Sequence, residues 1–171
     1  KDILDANGST SDPCLTIKTT VPIEITDLGI TGANTVDSGG GIRINAQNAN
    51  PSSDVTINGK TQIYGNTARY GGGISCSGYN STKRASLKIG GDTRIFNNTG
   101  SYQGGGIYIT LGDVCLYGNA VVGEAGKTTY ATATEGQNRN HSNTAVQKGG
   151  GIYALKAGVY LGYTAPNVAD T

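Results

Sequence analysis

The chain has no methionine, no tryptophan, one phenylalanine, one histidine and three cysteines in 171 residues. Its apolar residues come as short Ile, Val and Leu pairs, which excludes long amphipathic helices as the main building unit and favours short strands joined by tight turns. Charge is also scarce: 15% of residues are charged, the formal net charge is +1, and Lys and Arg are scattered. That pattern lacks the electrostatic footprint expected of a nucleic-acid binder or of a protein bound to an anionic membrane surface. No apolar run approaches the ~18 residues that a membrane-spanning helix needs, and residues 1–20 lack the charged and apolar regions of a signal peptide. Any membrane association is therefore expected only through parts of a parent chain. Cys14, Cys76 and Cys115 are an odd count at unrelated spacings, so neither a disulfide framework nor a zinc site is expected. No cofactor or metal site is expected either.

Glycine, in contrast, is abundant at 28 residues. Gly-Gly-Gly-Ile occurs four times, at Gly39–Ile42, Gly71–Ile74, Gly104–Ile107 and Gly149–Ile152, each following an Asn-Thr pair: Asn34-Thr35, Asn66-Thr67, Asn98-Thr99 and Asn143-Thr144. After each triplet comes an apolar-x-apolar segment, such as Val55-Thr56-Ile57 or Leu87-Lys88-Ile89. Another apolar residue stands eight positions beyond its first anchor: Ile63 after Val55, Ile95 after Leu87, Val122 after Val114. From there to the next triplet isoleucine takes 12, 11 and 12 residues, for Ile30 to Ile42, Ile63 to Ile74 and Ile95 to Ile107. A bare unit of 26 or 27 residues with three short strands predicts a parallel β-solenoid, each unit forming one coil whose neighbours complete its core. About five coils fit the chain as one domain, 1–171, with a less regular opening at 1–30, regular repeats over 31–162 and a cut end at 163–171. The open edges at such a cut are expected to mean either a fragment of a longer protein or ends that are covered in another way.

Period-2 alternation places Ile42, Ile74, Ile107 and Ile152 in one inward row, with Cys76 in the core, and directs Arg43, Ser75, Tyr108 and Tyr153 outward. The glycines are expected to relieve crowding where equivalent turns stack, and the asparagines to bond to backbone or to one another across the coil spacing of ~4.8 Å. Asn34, Asn66, Asn98 and Asn143, with Gly41, Gly73, Gly106 and Gly151, are therefore read as structural ladders. Stacking the coils also pairs Lys60 with Asp92 and Asp37 with Arg69. It places Asp54 and Asp113 two coils apart in one row, with Ser86 between them.

Segments that lengthen the repeat are where function can be grafted. Asn45–Asp54, Ser77–Ser86 and Gly123–Ser142 are such insertions, the last holding Tyr130, Glu135 and His141. The candidate contact residues are Tyr79, Lys83, Arg84 and Tyr130 in these loops, and Tyr108 and Tyr153 on the outward ladder. No catalytic residue is assigned, because no row carries acids on adjacent coils, as paired-carboxylate or calcium-assisted chemistry on sugars requires, and His141 has no nucleophile that can be placed beside it.

Ile63-Tyr64-Gly65-Asn66-Thr67-Ala68 before Gly71–Ile74, and Ile95-Phe96-Asn97-Asn98-Thr99 before Gly104–Ile107, resemble the paired Phe-x-x-Asn and Gly-Gly-Ala-Ile repeats of chlamydial-type polymorphic outer membrane proteins. Here Ile stands for Phe and a third glycine for Ala. The resemblance covers about residues 26–152. It implies a right-handed parallel β-helix of the autotransporter passenger type, displayed on a bacterial surface or secreted, and a role in adhesion to a host-surface protein or carbohydrate. The alternatives are a polysaccharide-binding or polysaccharide-cleaving β-helix of pectin-lyase type, or a purely structural stalk.

Overall fold

Short runs that alternate β-branched with polar residues cannot close a core alone, and here each is completed by its equivalent one coil away. In the computed structural model, which describes residues 2–18, 21–45, 54–123 and 142–162, every paired strand is parallel to its neighbours. The first coil holds β1 (Asp2–Asp5), β2 (Leu15–Ile17) and β3 (Ile23–Thr26), and the second β4 (Leu28–Thr31), β5 (Ile42–Asn45) and β6 (Asp54–Asn58). The third has β7 (Gln62–Tyr64), β8 (Thr67–Tyr70), β9 (Ile74–Ser77) and β10 (Ala85–Ile89). The fourth has β11 (Arg94–Phe96), β12 (Thr99–Gln103), β13 (Ile107–Thr110) and β14 (Gly112–Leu116). The fifth has β15 (Val121–Val122), β16 (Thr144–Ala145), β17 (Ile152–Leu155) and β18 (Gly158–Leu161). This is a parallel β-helix of five coils.

Three sheets have one strand from every coil, β1-β4-β7-β11-β15, β2-β5-β9-β13-β17 and β3-β6-β10-β14-β18. The expected register holds in the core rows: Leu15, Ile42, Ile74, Ile107 and Ile152 form one row, and Ile23, Val55, Leu87, Val114 and Val159 another. Ile42, Ile74 and Ile107 are fully buried, as are Ile63 and Ile95 of the opposing sheet. Each such side chain contributes about 1.5–3 kcal/mol of transfer free energy.

Three features extend or correct the sequence expectation. The Asn-Thr segments build a fourth sheet, β8-β12-β16, so three of the coils carry four strands instead of three. Residues 2–5, inside the opening read as irregular, pair with β4 and complete the first coil. Asn34 is not in the asparagine row: it bridges Thr67, and the ladder position opposite Asn66 belongs to Ala33, whose N–H donates to Asn66 Oδ1 at 3.2 Å. From the fully aligned pair Ile30 and Ile63, Asn66 is three residues on and Asn34 four. The Asn-Thr motif is therefore shifted by one position in the second coil.

The same register explains the 12- and 11-residue intervals. Thr99 and Gly100 pair with Thr67 and Ala68, but Gln103 pairs with Tyr70, so β12 carries one extra residue as a bulge. In the second coil, Asn34 faces Thr67 and Ser38 faces Tyr70, four residues against three. The third coil has the tight corner and its neighbours bulge over it.

Candidate functional site

The triplet glycines answer two steric demands. Gly39, Gly71, Gly104 and Gly149, the first of each, have φ between 64° and 72°, where a side chain is strained. The third of each lies against the next coil: a Cβ on Gly41 would be 2.7 Å from Gly73 O, one on Gly73 2.6 Å from Gly106 O, and one on Gly106 2.6 Å from Gly151 O. At Gly151 the nearest atom, Val122 Cγ1, is 3.9 Å away. Close approach lets the turn amides bond straight across, as Gly73 N–H does to Gly105 O at 3.1 Å.

The amide row fills the space beside these turns. Asn98 Nδ2 donates to Ile63 O at 2.9 Å and to Asn143 Oδ1 at 3.0 Å, while Asn98 Oδ1 accepts from Asn66 N and Nδ2, both at 3.1 Å. Asn143 Nδ2 donates to Ile95 O at 2.7 Å. Asn66 and Asn98 are fully buried and every polar atom of the row faces a partner, so this ladder has nothing left to offer a ligand.

Outside the core, aromatic residues line up by coil. Tyr64 and Phe96 stack at 5.3 Å and 8°, and Tyr108 and Tyr153 at 5.6 Å and 10°. Stacked rings cover each other's faces, so a ladder of this kind chiefly stabilises the sheet. Tyr108 is enclosed further by Tyr70, 5.1 Å away. Burial first, and then the neighbouring Tyr70 and Tyr153, raise its phenol pKa above the usual value. Tyr108 and Tyr153 are thus brought together in the outward register expected of them, each covering one face of the other.

The sequence reading missed the corner beside them. The bulge in β12 turns Tyr102 edge-on to Tyr70, 5.5 Å apart at 75°. The exposed Arg69 lays its guanidinium over both rings, 5.3 Å from the Tyr70 centroid and 5.7 Å from that of Tyr102. Its backbone N–H donates to Asp37 O at 2.7 Å, so the expected adjacency of those residues holds. The Asp37 carboxylate, however, goes to Arg43 Nη2 at 3.0 Å on its own coil. The signal in the sequence was the extra residue between Ile95 and Ile107.

In the loop Ser77–Ser86, Asn80 Oδ1 accepts from Thr82 N, Thr82 Oγ1 and Lys83 N at 2.8–3.0 Å, and Tyr79 N–H donates to Lys83 O at 2.9 Å. These bonds make a closed turn that leaves Tyr79 48% exposed. Lys83 serves the turn through its backbone. Arg84, expected as a contact residue, ties the loop to the next coil: it bonds both oxygens of Asp113 at 2.9 and 3.3 Å and Gly112 O at 2.8 Å. The bond to Asp113 raises the guanidinium pKa. Asp54 Oδ2 lies 3.4 Å from Lys88 Nζ. Each of the two carboxylates in this row therefore faces a cation, and Gly158 N–H also donates to Asp113 Oδ1 at 3.1 Å. Among the described residues, Asp92 Oδ1 accepts from Asn119 Nδ2 at 3.0 Å, and no group of three or more His, Cys, Asp or Glu converges as a metal site. A depression of about 240 Å³ beside the first coil is lined by Leu4, Asp5, Ser9 and Cys14. The Cys14 thiol there donates to Thr31 O at 2.8 Å. Tyr130, His141 and most of the loops Asn45–Asp54 and Gly123–Ser142 lie outside the described residues.

Residues 92–110 match the family profile of the Chlamydia polymorphic membrane protein repeat. The matched stretch is one repeat, running from the turn at Asp92 through Asn98 and the glycine triplet to the end of β13. No curated protein and no solved structure matches the chain.

Proposed function

We propose that this β-helix is a non-catalytic module of a bacterial surface or secreted protein, and that it adheres to its partner through side loops while the ladders serve as frame. The observation that carries the reading is the contrast between the two kinds of outward residue. The ladders are closed on themselves, ring on ring and amide on amide. The loop Ser77–Ser86, which the coil does not need for closure, is instead tied by Asn80 and Arg84 into a turn that exposes Tyr79. A rigid projecting aromatic residue loses little conformational entropy on binding and is a common anchor at interfaces. The repeat match at residues 92–110 supports display at an outer membrane, where proteins bearing that repeat name reside.

The test is attachment of beads coated with the chain to host epithelial cells. Replacing Gly123–Ser142 by a short turn leaves the fold intact, since loop-closure cost changes slowly with length, and lowers attachment. Tyr79→Ser is expected to act in the same direction. Unchanged attachment by both variants would move the contact away from the loops. Release of unsaturated or reducing sugars from acidic polysaccharides would replace the adhesive reading with an enzymatic one.

A further inference from the structure

We propose that the corner formed by β8 and β12 is a receptor for a carboxylated sugar, with Arg69 holding the carboxylate. The inference rests on the adhesive reading and adds a ligand class and a second contact surface to it.

Four observations meet at this corner. β12 carries a one-residue bulge at this corner, and bulges re-aim side chains out of a regular ladder; here Tyr102 stands edge-on to Tyr70. Arg69 is exposed, yet its guanidinium is seated over two rings, within the range of cation–π attraction. Among the described residues no carboxylate lies within 4.0 Å of it, whereas Arg43, Arg84 and Lys88 each have one. The nearest acid along the stack, Asp37, is engaged by Arg43. Lys148, bridged to Gln103 and so two coils from Tyr70 in register, adds a further exposed cation. Arg43 and Asp37 offset each other as a pair, which leaves Arg69 and Lys148 as the cations of this corner among the described residues.

A guanidinium seated against aromatic rings still offers two parallel N–H donors to a carboxylate. Its seat is the aromatic carbon of Tyr70 and Tyr102, and the backbone brings in the exposed Ser101 of β12 and Gln147, whose N–H donates to Tyr102 O at 3.0 Å. That combination suits a pyranose that carries its carboxylate at the ring edge and hydroxyls elsewhere. Such a sugar can come from a sialylated or a uronate-ended glycan.

The folded 171-residue chain would be titrated, by ¹⁵N chemical-shift perturbation, with 3′-sialyllactose and with a glucuronate-ended hyaluronan tetrasaccharide. Lactose, sodium acetate and a tetraglutamate peptide serve as controls. Saturable shifts centred on Arg69, Tyr70 and Tyr102 are expected with one acidic sugar or both, which also tells the two sources apart. Arg69→Lys, which keeps the charge and removes the fork, is expected to weaken binding about tenfold or more, and Tyr102→Leu to weaken it as well. Arg94→Ala, an exposed arginine on another sheet, is expected to leave it unchanged. No shift with either acidic sugar, equal binding of lactose, acetate or tetraglutamate, or an unaffected Arg69→Lys variant would each overturn the proposal. Circular dichroism melts confirm that each variant is folded. Cell attachment of Arg69→Lys separates the two readings: attachment that persists while no sugar binds removes this proposal alone, and sugar binding without any cell attachment removes the adhesive reading alone.

Discussion

Asn98→Ala and Asn34→Ala change the same motif and are expected to differ by about 1–3 kcal/mol. Removing the Asn98 amide takes away the Oδ1 that accepts from Asn66 N and Nδ2 at 3.1 Å, and the Nδ2 that donates to Ile63 O at 2.9 Å and Asn143 Oδ1 at 3.0 Å. Asn66 Nδ2 keeps Ile30 O and Tyr64 O, at 3.1 and 3.0 Å, and Asn143 Oδ1 keeps Asn98 N at 3.1 Å. The Asn66 N–H loses its side-chain partner inside a fully buried row, whereas the Ile63 carbonyl remains in the β7–β11 ladder, as Ile95 O one coil on accepts both Gly123 N and Asn143 Nδ2. At about 1–3 kcal/mol for one buried group left unsatisfied, the loss is about 1–3 kcal/mol. Asn34 is exposed and off the row, so its replacement is expected to stay within about 0.5 kcal/mol. Urea unfolding followed by far-ultraviolet circular dichroism reads the difference. With a slope of about 1–3 kcal/mol/M, Asn98→Ala lowers the midpoint by about 1 M, and Asn34→Ala leaves it in place. Equal shifts for the two variants would mean that the amides act through the Asn-Thr motif itself instead of through the buried ladder, and the register argument would fail.

Gly106→Ala is expected to cost about 1–3 kcal/mol, because its Cβ would stand 2.6 Å from Gly151 O and 2.8 Å from Asn143 Nδ2. Gly151→Ala, at the same ladder position with 3.9 Å of clearance, is expected to be neutral in the same thermal melt; equal losses would remove the stacking explanation. The Cys76 thiol, pushed by burial from 9.0 to about 12, is expected to resist iodoacetamide at pH 8 until the chain is unfolded, whereas labelling at the rate of a free thiol would show that its row opens. Because the folded thiol holds its proton more tightly than the unfolded one, its contribution is fully present below pH 9 and is lost as pH rises toward 12. The stability advantage of the native protein over Cys76→Ala should therefore shrink across that window, and a constant advantage would contradict the burial.

The coil period, the core rows and the glycine turns were legible because each is a local demand repeated at fixed spacing. Ile42, Ile74, Ile107 and Ile152 stack because parallel in-register pairing brings identical positions together, and the third glycines recur because a Cβ there strikes the next coil. Such constraints act on every copy and so leave a mark in the sequence. What only the tertiary structure decided is what happens where copies differ by one residue. A one-residue slip placed Ala33 instead of Asn34 in the amide row, and another turned Tyr102 out as a bulge under Arg69. Partner choice among charges was equally hidden. Backbone adjacency of Arg69 and Asp37 was readable, but Asp37 is closer to Arg43 on its own coil, and Arg84 was spent on Asp113 across the next one. Register fixes which Cα atoms are neighbours; the reach and direction of each side chain, which depend on the bulges and turns around it, fix which atoms meet.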